Sequence, residues 1–295
     1  MTVVDLTHAG GESAPRATGL LRASLGLWRT RVGLAVVAAV ALVAWIGPYV
    51  APHASGAFVA PPNSGPTAGA LFGSDYLGQD VWSRFLLGGR SILTLSLAAT
   101  ALGVGLGLCV GLIAAYARNV LDDILMRTMD VFMAIPQLIL ALVAVSILGS
   151  DAWLIVLVVG LSTAPRVSRV IRGAAAPVVE MDFVAAGEAL GDPRGRIIAK
   201  DVLPNVTGPL IVEATLRLTY AIGLIASLAF LGFTADPNAP DWGLMLQENR
   251  LALLVQPWGV VLPAAAIALL TVGTGLVGDG LARALAGLDR EVVTG

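Results

Sequence analysis

Long apolar runs, separated by shorter polar stretches, set the pattern of this chain. A helix needs about 20 mostly apolar residues to cross about 30 Å of hydrocarbon. Residues 32–50, 92–116, 131–148, 210–233 and 259–281 meet or approach that length. Residues 152–164 are also strongly apolar, but a run this short reaches only ~20 Å as a helix. It then meets Pro165 and Arg166. Such a run must continue as a less apolar helix sheltered by protein or water, a build common in transporters. The pattern predicts an all-α, polytopic membrane protein of six transmembrane helices. Residues 1–18, rich in Gly, Ser, Thr and Pro without periodicity, predict a mobile tail. The first apolar run is too long, and its tail too extended, for a cleaved signal peptide.

Composition agrees. Of 295 residues, 57% are hydrophobic and 13% charged, whereas soluble domains carry about 25% charged residues. A soluble fold could not hide this much apolar surface. Cys109 is the sole cysteine, so no internal disulfide and no cysteine metal site can form. His8 and His53 lie far apart without ligand-spaced partners, and no metal site is expected.

Net charge is uninformative, but its distribution gives sidedness. With the N-terminus inside, Arg84, Arg90 and Arg250 are the basic residues that fall outside, and Arg217 lies within the fifth span. The other fourteen of the 18 basic residues fall inside. Basic residues concentrate on cytoplasmic loops, so both termini are expected in the cytoplasm. The resulting plan is a cytoplasmic tail (1–30), a first span (31–50), an extracytoplasmic loop (51–90), a five-helix core (91–282) and a C-terminal tail (283–295). The outer loop opens with a Pro- and Gly-rich stretch and ends in a short amphipathic run, residues 80–87. The core contains a long cytoplasmic loop, residues 166–209.

That loop reads as helix, turn, helix. Residues 183–190 are small residues and helix formers, Gly191 stands where a helix-ending glycine belongs, and Asp192-Pro193 suits the start of a second helix. Leu203-Pro204 is expected to stop that second helix. The small side chains of Ala185, Ala186 and Gly187 let another surface approach the backbone. This suits a docking element for a soluble partner as well as an ordinary solvated loop.

The same residues resemble the cytoplasmic "EAA" loop of ABC-importer permeases. Ala185, Ala186 and Gly187 stand at the EAA positions, Gly191 at its glycine, and Leu203 and Pro204 at its Leu-Pro. The leading glutamate is replaced by Ala185 and the later isoleucine by Asp201. Glu188, one turn along, is the acidic residue placed to substitute. The resemblance narrows to the dipeptide/oligopeptide/nickel family, of the DppC/OppC type, over most of residues 30–290. Residues 72–84 (FGSDYLGQDVWSR), then Asp123, Arg127, Asp130 and Pro136, then Ser227 to Gly232 (SLAFLG), then Gly278 to Leu285 (GDGLARAL) resemble its further motifs in order. Ile225 stands where that family usually has an acid.

The resemblance implies a type I ABC importer (MetI-like) permease core in the bacterial cytoplasmic membrane. It implies a sister permease (DppB/OppB-like), two ATP-binding subunits or one fused ATPase, and an external substrate-binding lipoprotein. It implies a coupling loop made by Ala185, Ala186, Gly187, Glu188, Gly191, Asp192, Leu203 and Pro204. No Gly-rich phosphate loop ending in Gly-Lys-Ser/Thr exists, and the sole lysine, Lys200, precedes Asp201. No cofactor is expected in this chain; ATP and Mg would be bound by partner subunits. Lipid is the expected surrounding, and nothing calls for nucleic acid.

Few ionisable residues lie inside the spans. Glu213 and Arg217, four apart, share a helix face and can pair, either lining a pathway or as a structural pair. Gln137, after Pro136, can bond across helices. Trp242 suits an interfacial anchor or a dock for the binding protein. Gly103, Gly107 and Gly111 form two overlapping GxxxG steps, a seam for close packing within the core or against the sister permease. A secondary transporter or channel would want intramembrane acidic or histidine relays, or an inverted repeat. A membrane-embedded enzyme would want a nucleophile with its base, or metal ligands, within the spans. The chain displays none of these.

Overall fold

The structure, a computed structural model, describes residues 17–294. Of the tail, residues 1–16 lie outside the described residues, as does Gly295. All regular secondary structure among the described residues is helical. In chain order the helices are α1 (Ala17–Gly26), α2 (Trp28–Val50), α3 (Val81–Ala117), α4 (Val120–Ala134), α5 (Gln137–Leu148) and α6 (Ala152–Val179). They continue with α7 (Asp182–Ala189), α8 (Arg194–Ile197), α9 (Thr207–Phe230), α10 (Trp242–Asn249) and α11 (Trp258–Thr294).

Five helices are long and apolar enough to cross a membrane, and α4 with α5 makes a sixth crossing only as a bent pair. The third span is thus not the straight helix expected over residues 131–148. It turns by 82° between α4 and α5. Pro136 is the cause: it has no N–H to donate, and its ring drives the preceding residue out of the helical region. Ile135 is accordingly extended, at φ −88° and ψ 127°. Pro165 acts differently. The fourth span continues through it to Val179, sheltered as its short apolar run required. Residues 166–179, expected to open the cytoplasmic loop, are therefore helix.

Two other boundaries move. The amphipathic run 80–87 is the first two turns of α3, which Asp80 caps by accepting from the Ser83 backbone N–H at 3.0 Å. The C-terminal tail continues α11 without a break.

The seam between α3 and α6 organises the bundle. A Cβ added at Gly103 would lie 2.0 Å from Thr163 Oγ1, one at Gly107 2.5 Å from Val167 Cβ, and one at Gly111 2.6 Å from the Ser168 carbonyl. Glycine is required at all three because the backbones touch. This assigns the GxxxG steps to packing within the chain.

The outer half of the core centres on Trp242. It is fully buried, stacks on Phe85 at 5.5 Å between centroids, and donates from Nε1 to the Phe85 carbonyl at 2.8 Å. It is neither an interfacial anchor nor a dock. The motif of residues 72–84 folds beside it as a cap. Asp75 accepts from the backbone N–H groups of Leu77 and Gln79, and Arg84 bridges Asp75 (2.5 Å) to Glu248 at the end of α10 (2.9 Å). The other half of the core joins Leu112, Val167, Ile171, Val178 and Val179 to Val184, Ile197, Val202 and Val206 of the segment between α6 and α9. Those four residues anchor the segment to the core, while most of its other side chains between 180 and 196 stay exposed.

Candidate coupling site

The element expected in the cytoplasm begins where α6 ends. α7 buries Val184 against the inner core and leaves Phe183, Ala185, Ala186 and Leu190 exposed, Leu190 at 84%. Gly187 is half-buried, with Ile197 of α8 just beyond it. The helix ends in a Schellman turn. The Gly191 N–H donates to the Glu188 carbonyl at 3.0 Å, and the Asp192 N–H to the Gly187 carbonyl at 3.1 Å. Gly191 takes φ +80°, a left-handed conformation that costs other residues roughly 1–2 kcal/mol.

Two expectations about this element need correction. Asp192 does not cap α8. Pro193 occupies the cap position without a side-chain bond, and Asp192 instead pairs with Arg196 at 2.9 Å. Leu203-Pro204 does not stop the second helix. The backbone widens to a π turn over Ile198–Val202, tightens to a 3-10 turn over Leu203–Val206, and runs on into α9. The change of pitch accommodates the N–H that Pro204 lacks. Residues 194–230 thus form one unbroken helical path that includes the fifth span. Glu188 is exposed on α7 and accepts from the Tyr116 hydroxyl at 2.6 Å, tying α7 to the near end of α3.

Tyr116 was not legible as part of this site, since it stands 72 residues from its partner. Replacing Tyr116 with Phe should remove about 1 kcal/mol of restraint. The check is hydrogen exchange: amides of α7 should exchange severalfold faster, with those of α6 unchanged.

A second group of polar residues lies deeper. Glu213 and Arg217 pair at 2.8 Å, both buried, and the Arg217 guanidinium lies 5.0 Å over the Tyr220 ring. Gln137 donates to Ser162 Oγ at 2.9 Å and accepts from Arg166 Nη1 at 3.4 Å, so it does bond across helices. Sequence reasoning missed Arg166 as a member. Its place after Pro165, past the apolar run, was the available signal.

The chain is thus a bundle of bent and straight helices of membrane-crossing character, with a helix pair packed at one end and continuous with one of them. Residues 107–287 match the family described as binding-protein-dependent transport system inner membrane component. The chain belongs to that family: it is an ABC-importer permease of the MetI-like type. It is 34% identical over 256 residues to the dipeptide transport system permease protein DppC of Alkalihalophilus pseudofirmus, covering 86% of this chain and 84% of that one. It is 32% identical over 223 residues to the glutathione transport system permease protein GsiD of Pectobacterium atrosepticum, covering 76% and 74%. Among solved structures, an inward-facing form of the MetNI methionine ABC transporter matches with a TM-score of 0.52 at 19% identity. The match covers 68% of this chain and 94% of that one, and it bears on the fold alone.

Proposed function

We propose that this chain is one of two permease halves that together form the pathway of a peptide importer, driven by separate ATPase subunits that grip α7. The observation that carries the coupling role is the two-sided character of the cytoplasmic element. Phe183, Ala185, Ala186 and Leu190 face outward, while Val184 and Ile197 lock the same element into the inner core. A push on α7 therefore reaches the ends of α3 and α6 through buried contacts. Through the unbroken backbone from Arg194 it also reaches α9. Side chains as small as Ala185 and Ala186 admit a partner surface close to the helix. Position 185 lacks the glutamate, and the exposed Glu188 one turn along, held by the Tyr116 hydroxyl through one oxygen, is an acid on this face that a partner can reach.

ATP and Mg are bound by the partner subunits, and both termini lie in the cytoplasm, as the distribution of arginine supports. The peptide substrate is supported by relatives named for dipeptide and glutathione transport. An external binding protein delivers it, and a sister permease completes the pathway. ATP binding draws the ATPases together, α7 follows, and the spans tilt to open outward. Hydrolysis resets them.

The test uses the whole complex in proteoliposomes. Phe183→Asp with Leu190→Asp should cut ATP-driven tripeptide uptake at least tenfold. It should also abolish stimulation of ATPase activity by loaded binding protein, while the chain still inserts. Gly191→Val should act in the same direction by distorting the turn. Undiminished uptake in the double variant would overturn the coupling role.

A further inference from the structure

α6 carries three arginines spaced by three residues, Arg166, Arg169 and Arg172, along the side that meets the bent third span. Two of them have a carboxylate. Arg169 pairs with Asp130, and Arg172 binds Asp122 through two bonds of 2.6 and 2.5 Å. Arg166 has none. Its side-chain bond is to the neutral amide oxygen of Gln137, at a long 3.4 Å, and its side chain is exposed.

Its depth makes this unusual. Arg166 lies fourteen residues into α6, about 21 Å from the helix start at 1.5 Å per residue. Arg217 lies thirteen residues before the end of α9, about 20 Å from it by the same rise. Measured along their helices, both residues thus lie about 20 Å from the ends expected to face outward, less than the ~30 Å thickness of the hydrocarbon, so the fourth span carries Arg166 deeper than its place in a cytoplasmic loop implied. Glu213 compensates Arg217, with which it pairs at 2.8 Å. Two guanidinium groups against one carboxylate leave a positive charge, and arginine cannot shed its proton. Facing lipid, that charge would be strongly unfavourable. The exposed face of Arg166 must therefore meet water, an anion, or both.

We propose that Arg166, steadied by Gln137 and Ser162, is a carboxylate-binding station on the translocation pathway, taking the C-terminal carboxylate of a peptide in transit. The inference rests on the peptide-import reading above and assigns it a chemical contact. A guanidinium presents a planar fork that matches a carboxylate with two parallel N–H···O bonds. Gln137 occupies Nη1 through its carbonyl oxygen, and its own N–H goes to Ser162 Oγ. The remaining N–H groups of Arg166 are left for the substrate. One weak neutral contact holds the side chain loosely. A transit site needs this, because a solute held too tightly would not leave.

The test uses the complete complex in proteoliposomes, with trialanine and trialanine amide as probes. Uptake of each is expressed per peptide held by the binding protein. The wild-type complex should move the free acid at least tenfold faster than the amide. Arg166→Gln should erase that preference by slowing the free acid alone, and Arg166→Lys should restore part of it. Equal loss for both probes, as expected if Arg166 only pairs with a carboxylate of the sister permease, would overturn the inference, as would no change. If the wild-type complex imports neither probe, the peptide-import reading itself falls, and this one with it.

A second measurement is independent of the binding protein. Val170 is exposed one turn beyond Arg166. In a Cys109→Ala background, Val170→Cys should react faster with an anionic sulfonate thiol reagent than with a cationic trimethylammonium one. Arg166→Gln should lower that ratio about threefold or more. A thiol that reacts with neither reagent would mean that the face is dry, and would also overturn the proposal.

Discussion

Replacing Arg84 with alanine should loosen the cap formed by residues 72–84, at a cost of about 3–5 kcal/mol, the range for breaking a buried ion pair from one side. Arg84 joins Asp75, whose side chain is fully buried, to Glu248, which is 11% exposed. Alanine would leave both carboxylates without their cation and keep them out of water. The expected readout is rapid proteolysis within residues 51–80 of the purified chain in nanodiscs, with the spans still protected. Neutralising all three positions, as Arg84→Met with Asp75→Asn and Glu248→Gln, should recover most of the resistance, because no charge is then stranded. Proteolysis unchanged by Arg84→Ala would show that the cap is held by other contacts.

Tyr76 adds a pH dependence to the same knot. Its hydroxyl donates to Glu248 at 3.1 Å, and burial, then the nearby Glu248 charge, push the phenol above its usual value. A group raised in this way stabilises the folded cap fully below the ordinary phenol pKa of about 10. That contribution is lost as the pH climbs past it.

Gly107→Leu should be the most damaging single change within the spans. Even a methyl group at Gly107 would sit 2.7 Å from the Ala164 carbonyl and 2.5 Å from Val167 Cβ. The carbonyl belongs to the helix backbone and cannot swing away, so α3 and α6 must separate. Overpacking a core costs typically 1–3 kcal/mol, and prising two helices apart along a seam costs more. Thermal unfolding of the chain in detergent should show a fall of many degrees for Gly107→Leu and a smaller fall for Gly107→Ala. Gly105 is the internal control. A Cβ there meets nothing within 4 Å, so Gly105→Ala should be neutral or stabilising by about 0.5–1 kcal/mol. Equal melting of the Gly105 and Gly107 alanine variants would refute the seam.

Much of the α7 turn was legible in the chain because its signals are local. Gly191 marks the end of α7 through a conformation that glycine adopts at no steric cost, and the residues before it include helix formers, with Val184 packed into the core to hold them. The fate of Pro204 was not legible. A proline ends a helix when nothing holds the chain beyond it, but here Val202 and Val206 are buried on either side of it and the backbone changes pitch instead. Pro136 and Pro165 make the same contrast inside the membrane. The first breaks its helix, and the second is carried through a helix packed along the α3 seam.

The sequence by itself determined the apolar spans, the bias of arginine toward one side, the missing phosphate loop and the glycine spacing of the seam. Each of these depends on residue type at short range, through helical periodicity, transfer of side chains into lipid, or backbone freedom. Tertiary structure alone decided that Tyr116 takes up Glu188, that Trp242 is buried in the core, that Arg84 closes the cap, and that Arg166 lacks the carboxylate its two neighbours on α6 possess. Those outcomes depend on which helices meet and at what level. Residues far apart in the chain compete for the same partner, and packing settles which of them obtains it.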